Sequence, residues 1–455
     1  MPKIAATGRF APVAYLLFLG LVALTGGSSH FDAASQPIVR LGAILLVGAL
    51  VLRPSEGHPS SYRPAFWFLA ALAALILIQL IPLPPALWGA VPGHERYLRA
   101  AAAAGESQPW RPLNLTPDRG WNALFALLPP AAALFGASRL RMRDQGAVLL
   151  ALILIVMASA VLGLAQASAG EDDTLRFYAA PPTQAAVGLF ANRNHHALLI
   201  ACGLPMLALW AERARADRAK RRLHAALALA GGAFLVLTIP TTGSRAGLVL
   251  AALALPLALV LAWPAVRTGF GALSFRHRQI GAGVGLALLV ALVATALTFS
   301  RADSVHRLFA MDPVEDARVR LLQPLLGMIR TFLPFGSGFG SFDPVYRGFE
   351  PFRNLMVTYM NQAHDDYLQL LLEAGLPGLA LLLVFLGWWI WTSIRLWRAA
   401  DGESAALGRL GSILILLILL ASLTDYPIRT PLMMVIAVQA AAWMLLPRRR
   451  RHEGG

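Results

Sequence analysis

About twelve stretches of this chain are apolar over roughly the length a helix needs to cross a hydrocarbon layer, and nothing else in the sequence limits the fold as much. They lie near 10–26, 38–52, 64–83, 120–137, 147–168, 184–210, 225–241, 245–264, 280–299, 376–394, 410–424 and 431–447. Only 14% of the 455 residues are charged, against roughly 25% in an average soluble domain. The expected class is all-α, a polytopic membrane protein with about 12 transmembrane helices. The first run follows Lys3 and Arg9 as a signal peptide would. It reads better as a first membrane helix, because "TGGSSH" is a poor cleavage site.

The charge balance is +15, and the only lysines are Lys3 and Lys220. The single cysteine, Cys202, excludes an internal disulfide. With the N-terminus placed in the cytoplasm, the runs 138–145, 212–225, 267–279, 395–409 and the tail 448–455 fall on the inner side. That side then holds more than half of the 39 basic residues. The runs read as topology signals that also meet anionic membrane lipids, and nucleic acid is not an expected partner.

Two segments between the runs are long, 84–119 and 300–375, and both fall on the external side. Long insertions in a compact protein are more often functional than connective. Residues 317–332 read as an amphipathic helix, with Val319, Leu322, Leu326 and Ile329 on one face, able to lie along the membrane surface. A glycine-rich turn, "FGSGFGSFDPVY" (335–346), follows.

Ionisable residues are costly at a lipid boundary, yet four places carry them, all on the external side. Arg193, His195 and His196 enter one helix. Arg245 starts another. Asp425 and Arg429 occupy the turn before the last run. His364, Asp365 and Asp366 lie in "NQAHDDYLQLLLEAGLPG" (361–378). Each has a plain reading too. Arg193 and Arg245 could snorkel to headgroups, and Asp425 and Arg429 could pair with each other. His195 and His196 point about 100° apart on a helix, so at most one faces a given site. Gathered arginines match phosphate oxygens in bidentate fashion. A histidine of ordinary pKa about 6.5 can take a proton from a hydroxyl. Together they suit displacement of a lipid pyrophosphate by an alcohol. No metal is required and no cofactor is expected, although Asp365 and Asp366 could together hold a divalent ion.

The stretch around His364 resembles the signature of the bacterial O-antigen ligase and polymerase superfamily: a His, a polar residue, nine residues, then G-x-x-G, here ending on Gly375 and Gly378. Asp365 departs from the usual neutral amide or hydroxyl. "GLFANRNHHA", "TTGSRAG", "RLLQPLLGMIRTFLPFGSGFGSF" and "LTDYPIRTP" resemble the family in the same order, over about 188–434. The resemblance implies about a dozen inner-membrane helices and a large periplasmic loop, 300–375, carrying amphipathic helices. It implies N-terminal helices over 1–183, a ligase or polymerase core over 184–447 and a basic cytoplasmic tail over 448–455. The implied reaction is inverting, metal-independent glycosyl transfer on the periplasmic face. The donor is an undecaprenyl-pyrophosphate-linked glycan, and the acceptor hydroxyl belongs to lipid A–core or to a growing glycan. The family's essential histidine corresponds to His364 and its arginines to Arg245 and Arg320, with Arg193 as a further match. Asp365 or Asp366 would orient the histidine, and Arg429 would join in binding substrate. O-antigen ligation is the leading expectation and polymerisation of O-antigen or exopolysaccharide the alternative. A secondary transporter is a reading from another class, which charges gathered at one face and a long external loop disfavour.

Overall fold

The computed structural model describes residues 9–53, 59–169, 173–178, 185–213, 218–263, 313–355 and 360–447. The expected run at 280–299, the basic run 267–279 and the tail 448–455 lie outside these residues. The described chain is almost wholly helical. Helices α1 (Phe10–Thr25), α2 (Ser35–Val51) and α3 (Arg63–Gln79) are followed by two short helices, α4 (Pro85–Gly89) and α5 (Glu95–Ala103). Then come α6 (Pro117–Phe125), α7 (Leu128–Ser138), α8 (Gln145–Ala169), α9 (Arg193–Glu212), α10 (Arg218–Thr238) and α11 (Arg245–Leu261). The C-terminal part holds α12 (Pro313–Phe332), α13 (Phe342–Arg347), α14 (Asp366–Trp397), α15 (Glu403–Ala421) and α16 (Pro431–Met444). Two-residue strands, Pro82–Leu83 and Arg111–Pro112, close the loop around α4 and α5.

Seven of these helical stretches are long and apolar enough to cross a membrane, and α1, α2, α11 and α16 are shorter apolar helices. The chain is an all-α polytopic membrane protein. Its outside supports this, since Leu17, Leu45, Trp67, Val249 and Val384 all stand exposed as they would against lipid. Helix α9 is buried from His195 to Leu207, with neighbours α8, α10, α11 and α15 around it. A helix with no polar face belongs at such a centre.

Several boundaries differ from expectation for identifiable reasons. The run 120–137 is two helices, because Pro129 and Pro130 lack the N–H groups that would continue α6. The run 184–210 becomes helical only at Arg193, where the Asn192 side chain accepts from the Asn194 backbone N–H and starts α9. The run 376–394 starts earlier, at Asp366, because Asp365 caps it by accepting from the N–H groups of Tyr367 and Leu368, both at 2.9 Å.

The apolar residues of the expected amphipathic helix divide between an inward and an outward face. In α12 the inward stripe is Leu321, Leu325, Met328, Ile329 and Phe332, packed near Phe342, Tyr346 and Leu372. Leu322 and Leu326 point outward, as a membrane-surface face requires, whereas Ile329, expected on the same face, is buried. Two apolar faces compete on this helix, and packing against α13 and α14 selects one of them.

Helix α14 breaks at Gly375 (φ 59°, ψ −150°), a conformation essentially reserved for glycine. The break frees carbonyls that a membrane interior cannot hydrate. The glycine-rich turn takes them up: Ser337 N–H donates to Leu372 O and Gly338 N–H to Glu373 O, both at 2.9 Å. Gln79 Nε2 also donates to Glu373 O at 3.0 Å, and its Oε1 accepts from Phe339 N–H at 3.1 Å. A Cβ on Gly375 would sit 2.1 Å from Pro334 O. Gly375→Ala is therefore expected to destabilise the protein by on the order of 3 kcal/mol. Thermal unfolding of the purified protein checks this, and an unchanged melting temperature would refute the strain.

Candidate functional site

The turn between α15 and α16, residues 422–430, carries one proline, which opens a short 3-10 segment at Pro427–Arg429. It turns Asp425 inward, where its side chain is 3% exposed. Donors from two distant parts of the chain converge on this carboxylate. Asn192 Nδ2 lies 3.2 and 3.3 Å from its two oxygens, and Asn194 Nδ2 makes a further, shorter bond. His195 Nε2 lies at 3.4 Å and His364 Nδ1 at 3.6 Å, an ion-pair distance rather than a full hydrogen bond. The Tyr426 ring meets both imidazoles edge to face, with centroids 5.1 Å from His195 and 4.9 Å from His364. Burial alone would raise the Asp425 pKa. The close approach of the His195 and His364 ring nitrogens outweighs it and holds the carboxyl well below the ordinary range.

His364 is the one non-glycine residue with positive φ among the described residues, at 54°. Such a backbone costs on the order of 1–3 kcal/mol and persists where its surroundings enforce it. Here Ala363 N–H donates to Gln369 Oε1 at 2.8 Å on one side, and Asp365 caps α14 on the other. The imidazole is 14% exposed, against 1% for His195, so His364 is the histidine a ligand can reach. Because Nδ1 faces Asp425, the ring geometry leaves Nε2 on the far side. His196, one position on, points elsewhere, with Nδ1 3.0 Å from Ser159 Oγ. The expected divergence of the two adjacent histidines thus appears, with His195 on the cluster and His196 in the core.

A second network lies alongside. Arg429 Nε is 3.2 Å from Asp366 Oδ1, and its Nη1 is 3.2 Å from Glu373 Oε2. Ser422 Oγ donates to Asp366 Oδ2 at 3.0 Å. The expected pairing of Asp425 with Arg429 is thus replaced by separate partners for each. The carboxylate beside His364 is Asp425 rather than Asp365 or Asp366. Asp365 is occupied as a helix cap and Asp366 with Arg429, which also removes the idea of a divalent ion between them. Among the described residues no set of three or more His, Cys, Asp or Glu is placed to hold a metal.

Arg193 and Arg245 are the first residues of α9 and α11. These helices touch closely enough that a Cβ on Gly247 would meet Ala197 Cβ at 2.3 Å. Arg193 Nη1 lies 3.6 Å from where a Cβ on Gly243 would stand, against the turn that leads into Arg245. Two helix N-termini and two guanidiniums thus share one region, which favours an anion. Arg320 lies on the exposed side of α12, where its carbonyl accepts from Asn354 Nδ2 at 3.4 Å. Arg213 and Arg409, from the described parts of the basic runs, lie toward the opposite ends of α9 and α15. Arg213 pairs there with Glu403, and Arg409 reaches Asp401 at 2.7 Å.

Residues 230–383 match the family model described as O-antigen ligase. The chain carries a domain of the O-antigen ligase family. No curated protein gives a match. The matched domain suggests a glycosyltransferase-like membrane enzyme and implies polysaccharide and lipid-linked substrates in general. The O-antigen ligase match includes Arg245, Arg320, His364, Asp365 and Asp366. It ends before Asp425 and Arg429 and begins after Arg193 and His195. The carboxylate cluster is therefore assembled from inside and outside the matched segment. From sequence His195 and Asp425 stand out only as polar groups at a lipid boundary, and Asn192 and Asn194 not at all. The available signal was the polar run "NRNH" at a helix start.

Proposed function

We propose that this protein transfers a glycan from an undecaprenyl-pyrophosphate carrier to an acceptor hydroxyl at the Asp425 end of the bundle. That end faces the periplasm of a bacterial inner membrane, and the reaction is O-antigen ligation to lipid A–core. The observation that carries the reading is the reachable His364 ring with Nδ1 against the buried Asp425 carboxylate. Asp425 holds Nδ1 protonated, which leaves the Nε2 lone pair to accept a proton. The acceptor O–H gives its proton to Nε2, and the oxygen forms a bond to the anomeric carbon. The bond from that carbon to the pyrophosphate breaks from the opposite face, inverting the centre, and the carrier leaves with the electron pair. Arg193 and Arg245, with Arg320 from α12, offset the charge that develops on the leaving group. The outward Leu322 and Leu326 of α12 give this helix an apolar face for the membrane surface beside the carrier's entry.

A deletion strain tests the assignment. Loss of polysaccharide-bearing lipopolysaccharide, with long carrier-linked chains accumulating, is the expected outcome. Lipopolysaccharide left with a single repeat unit would instead mark a polymerase. For the anion site, Arg245→Lys keeps the charge and loses the planar fork. It is expected to slow transfer by about tenfold or more, on the order of 1.4 kcal/mol. Full activity would argue against bidentate phosphate binding at Arg245.

A further inference from the structure

We infer that Arg40, held by Asn122 where α2 meets α6, binds the phosphate of an anionic membrane phospholipid. Arg40 lies in the second turn of α2, an apolar helix with Ile38, Leu41, Ile44 and Leu45 exposed around it. The loop before α2 is tied to the start of α16, where Leu432 N–H donates to Gly26 O at 2.9 Å. The N-terminal end of α2 is therefore at the Asp425 end of the bundle. Side chains on a helix lean toward its N-terminus, so the Arg40 guanidinium is carried toward that end, where hydrocarbon gives way to lipid headgroups.

What the guanidinium meets decides the ligand. Its Nη2 donates to Asn122 Oδ1 at 2.7 Å, and that amide carries no charge. Its Nε is buried with no hydrogen-bond partner. Among the described residues no carboxylate pairs with Arg40. Other arginines toward this end are matched: Arg119 and Arg347 share Asp343, and Arg429 spans Asp366 and Glu373. A guanidinium keeps its charge, and an uncompensated one beside lipid is costly. The bilayer is left to supply the counterion. Nη1 remains to donate to a phosphate oxygen, as a charge-assisted bond.

The surface around this point suits the rest of a phospholipid. Ile44 and Val51 follow Arg40 at spacings that keep them on its side of α2, and both are exposed, as a track for an acyl chain. Trp121 and Phe125 of α6 stack with ring centroids 6.2 Å apart and are also exposed, as aromatic rings are at a headgroup boundary. A lipid with net negative charge fits better than a zwitterionic one, whose phosphate already has a cation beside it. Asn122 also lines a cavity that reaches Gln362 and Asp366, on either side of His364 in the chain, so a lipid held here braces one wall of that cavity.

Lipid retention tests this without turnover. The full chain is purified in dodecyl maltoside and titrated with phosphatidylglycerol or phosphatidylcholine, and the adducts are counted by native mass spectrometry. The parent should hold its tightest phosphatidylglycerol more strongly than any phosphatidylcholine. Arg40→Gln should weaken that tightest affinity by about tenfold, the scale of a lost charge-assisted bond, whereas Arg99→Gln on α5 should leave it unchanged. Asn122→Asp keeps the arginine and gives it a carboxylate within the chain. It should weaken phosphatidylglycerol as much, with a melting temperature in lipid-free detergent no lower than the parent's. Parent-like phosphatidylglycerol affinity in either variant would overturn the inference. Equal affinity of the parent for phosphatidylcholine would overturn it by removing charge as the selector. Tighter binding of undecaprenyl phosphate than of phosphatidylglycerol, lost in Arg40→Gln, would overturn it in favour of a carrier lipid.

Discussion

Replacing His364 with alanine is expected to slow glycan transfer by roughly 10²–10⁴-fold, the usual contribution of a positioned general base. The fold should survive. The ring is partly exposed, and the residue's positive φ is a cost that alanine would share rather than add to. The measurement is initial rate of transfer by purified protein with a carrier-linked glycan and an acceptor glycolipid, alongside a melting curve. Parent-like rates would remove His364 as the base. A collapse of the melting temperature with lost activity would instead mean that the residue holds the turn. The melting curve separates the two.

Asp425→Asn is expected to act on both activity and stability. The amide keeps the size of the side chain but removes the anion that four side chains approach. One of its two ends then presents donors to donors. Breaking a buried charged network from one side typically costs about 3–5 kcal/mol, and loss of the group that orients His364 should slow transfer by about 10²-fold. The pH dependence has a definite sign. Asp425 is held below the ordinary carboxylate value, so its contribution is present above the unfolded value of about 3.9 and is lost as pH falls through the lower folded value. The gap in melting temperature between parent and Asp425→Asn should thus stay flat above about pH 5 and close only below about pH 4. A gap that closes between about pH 5 and 7 would show that Asp425 protonates there, against the assigned network.

Much of this site is written locally. The caps at Asn192, Ser244 and Asp365 each follow from a short polar side chain before an apolar run, and they place Arg193, Arg245 and Asp366 at helix starts. The spacing from His364 to Gly375 likewise marks both the reachable ring and the break in α14. The partner of His364 is not written locally. Asp365 and Asp366 are adjacent in the chain, yet capping turns one to the backbone of α14 and Arg429 claims the other. The Gly-rich turn shows the same division. Its glycines announce an unusual backbone, but nothing nearby says that it will bind the carbonyls freed in α14.

By itself the sequence determined the class of fold, the short polar side chains that cap helices, and the gathering of polar groups at one end of the bundle. These follow from apolar run length, capping chemistry and the cost of charge in lipid, all properties of neighbouring residues. Only the tertiary structure decided that Asp425 rather than Asp365 or Asp366 meets His364, that Arg429 belongs to Asp366 and Glu373, and which face of α12 turns inward. Those choices depend on how helices distant in the chain are aligned and rotated when they pack, and short-range pattern carries no record of that alignment.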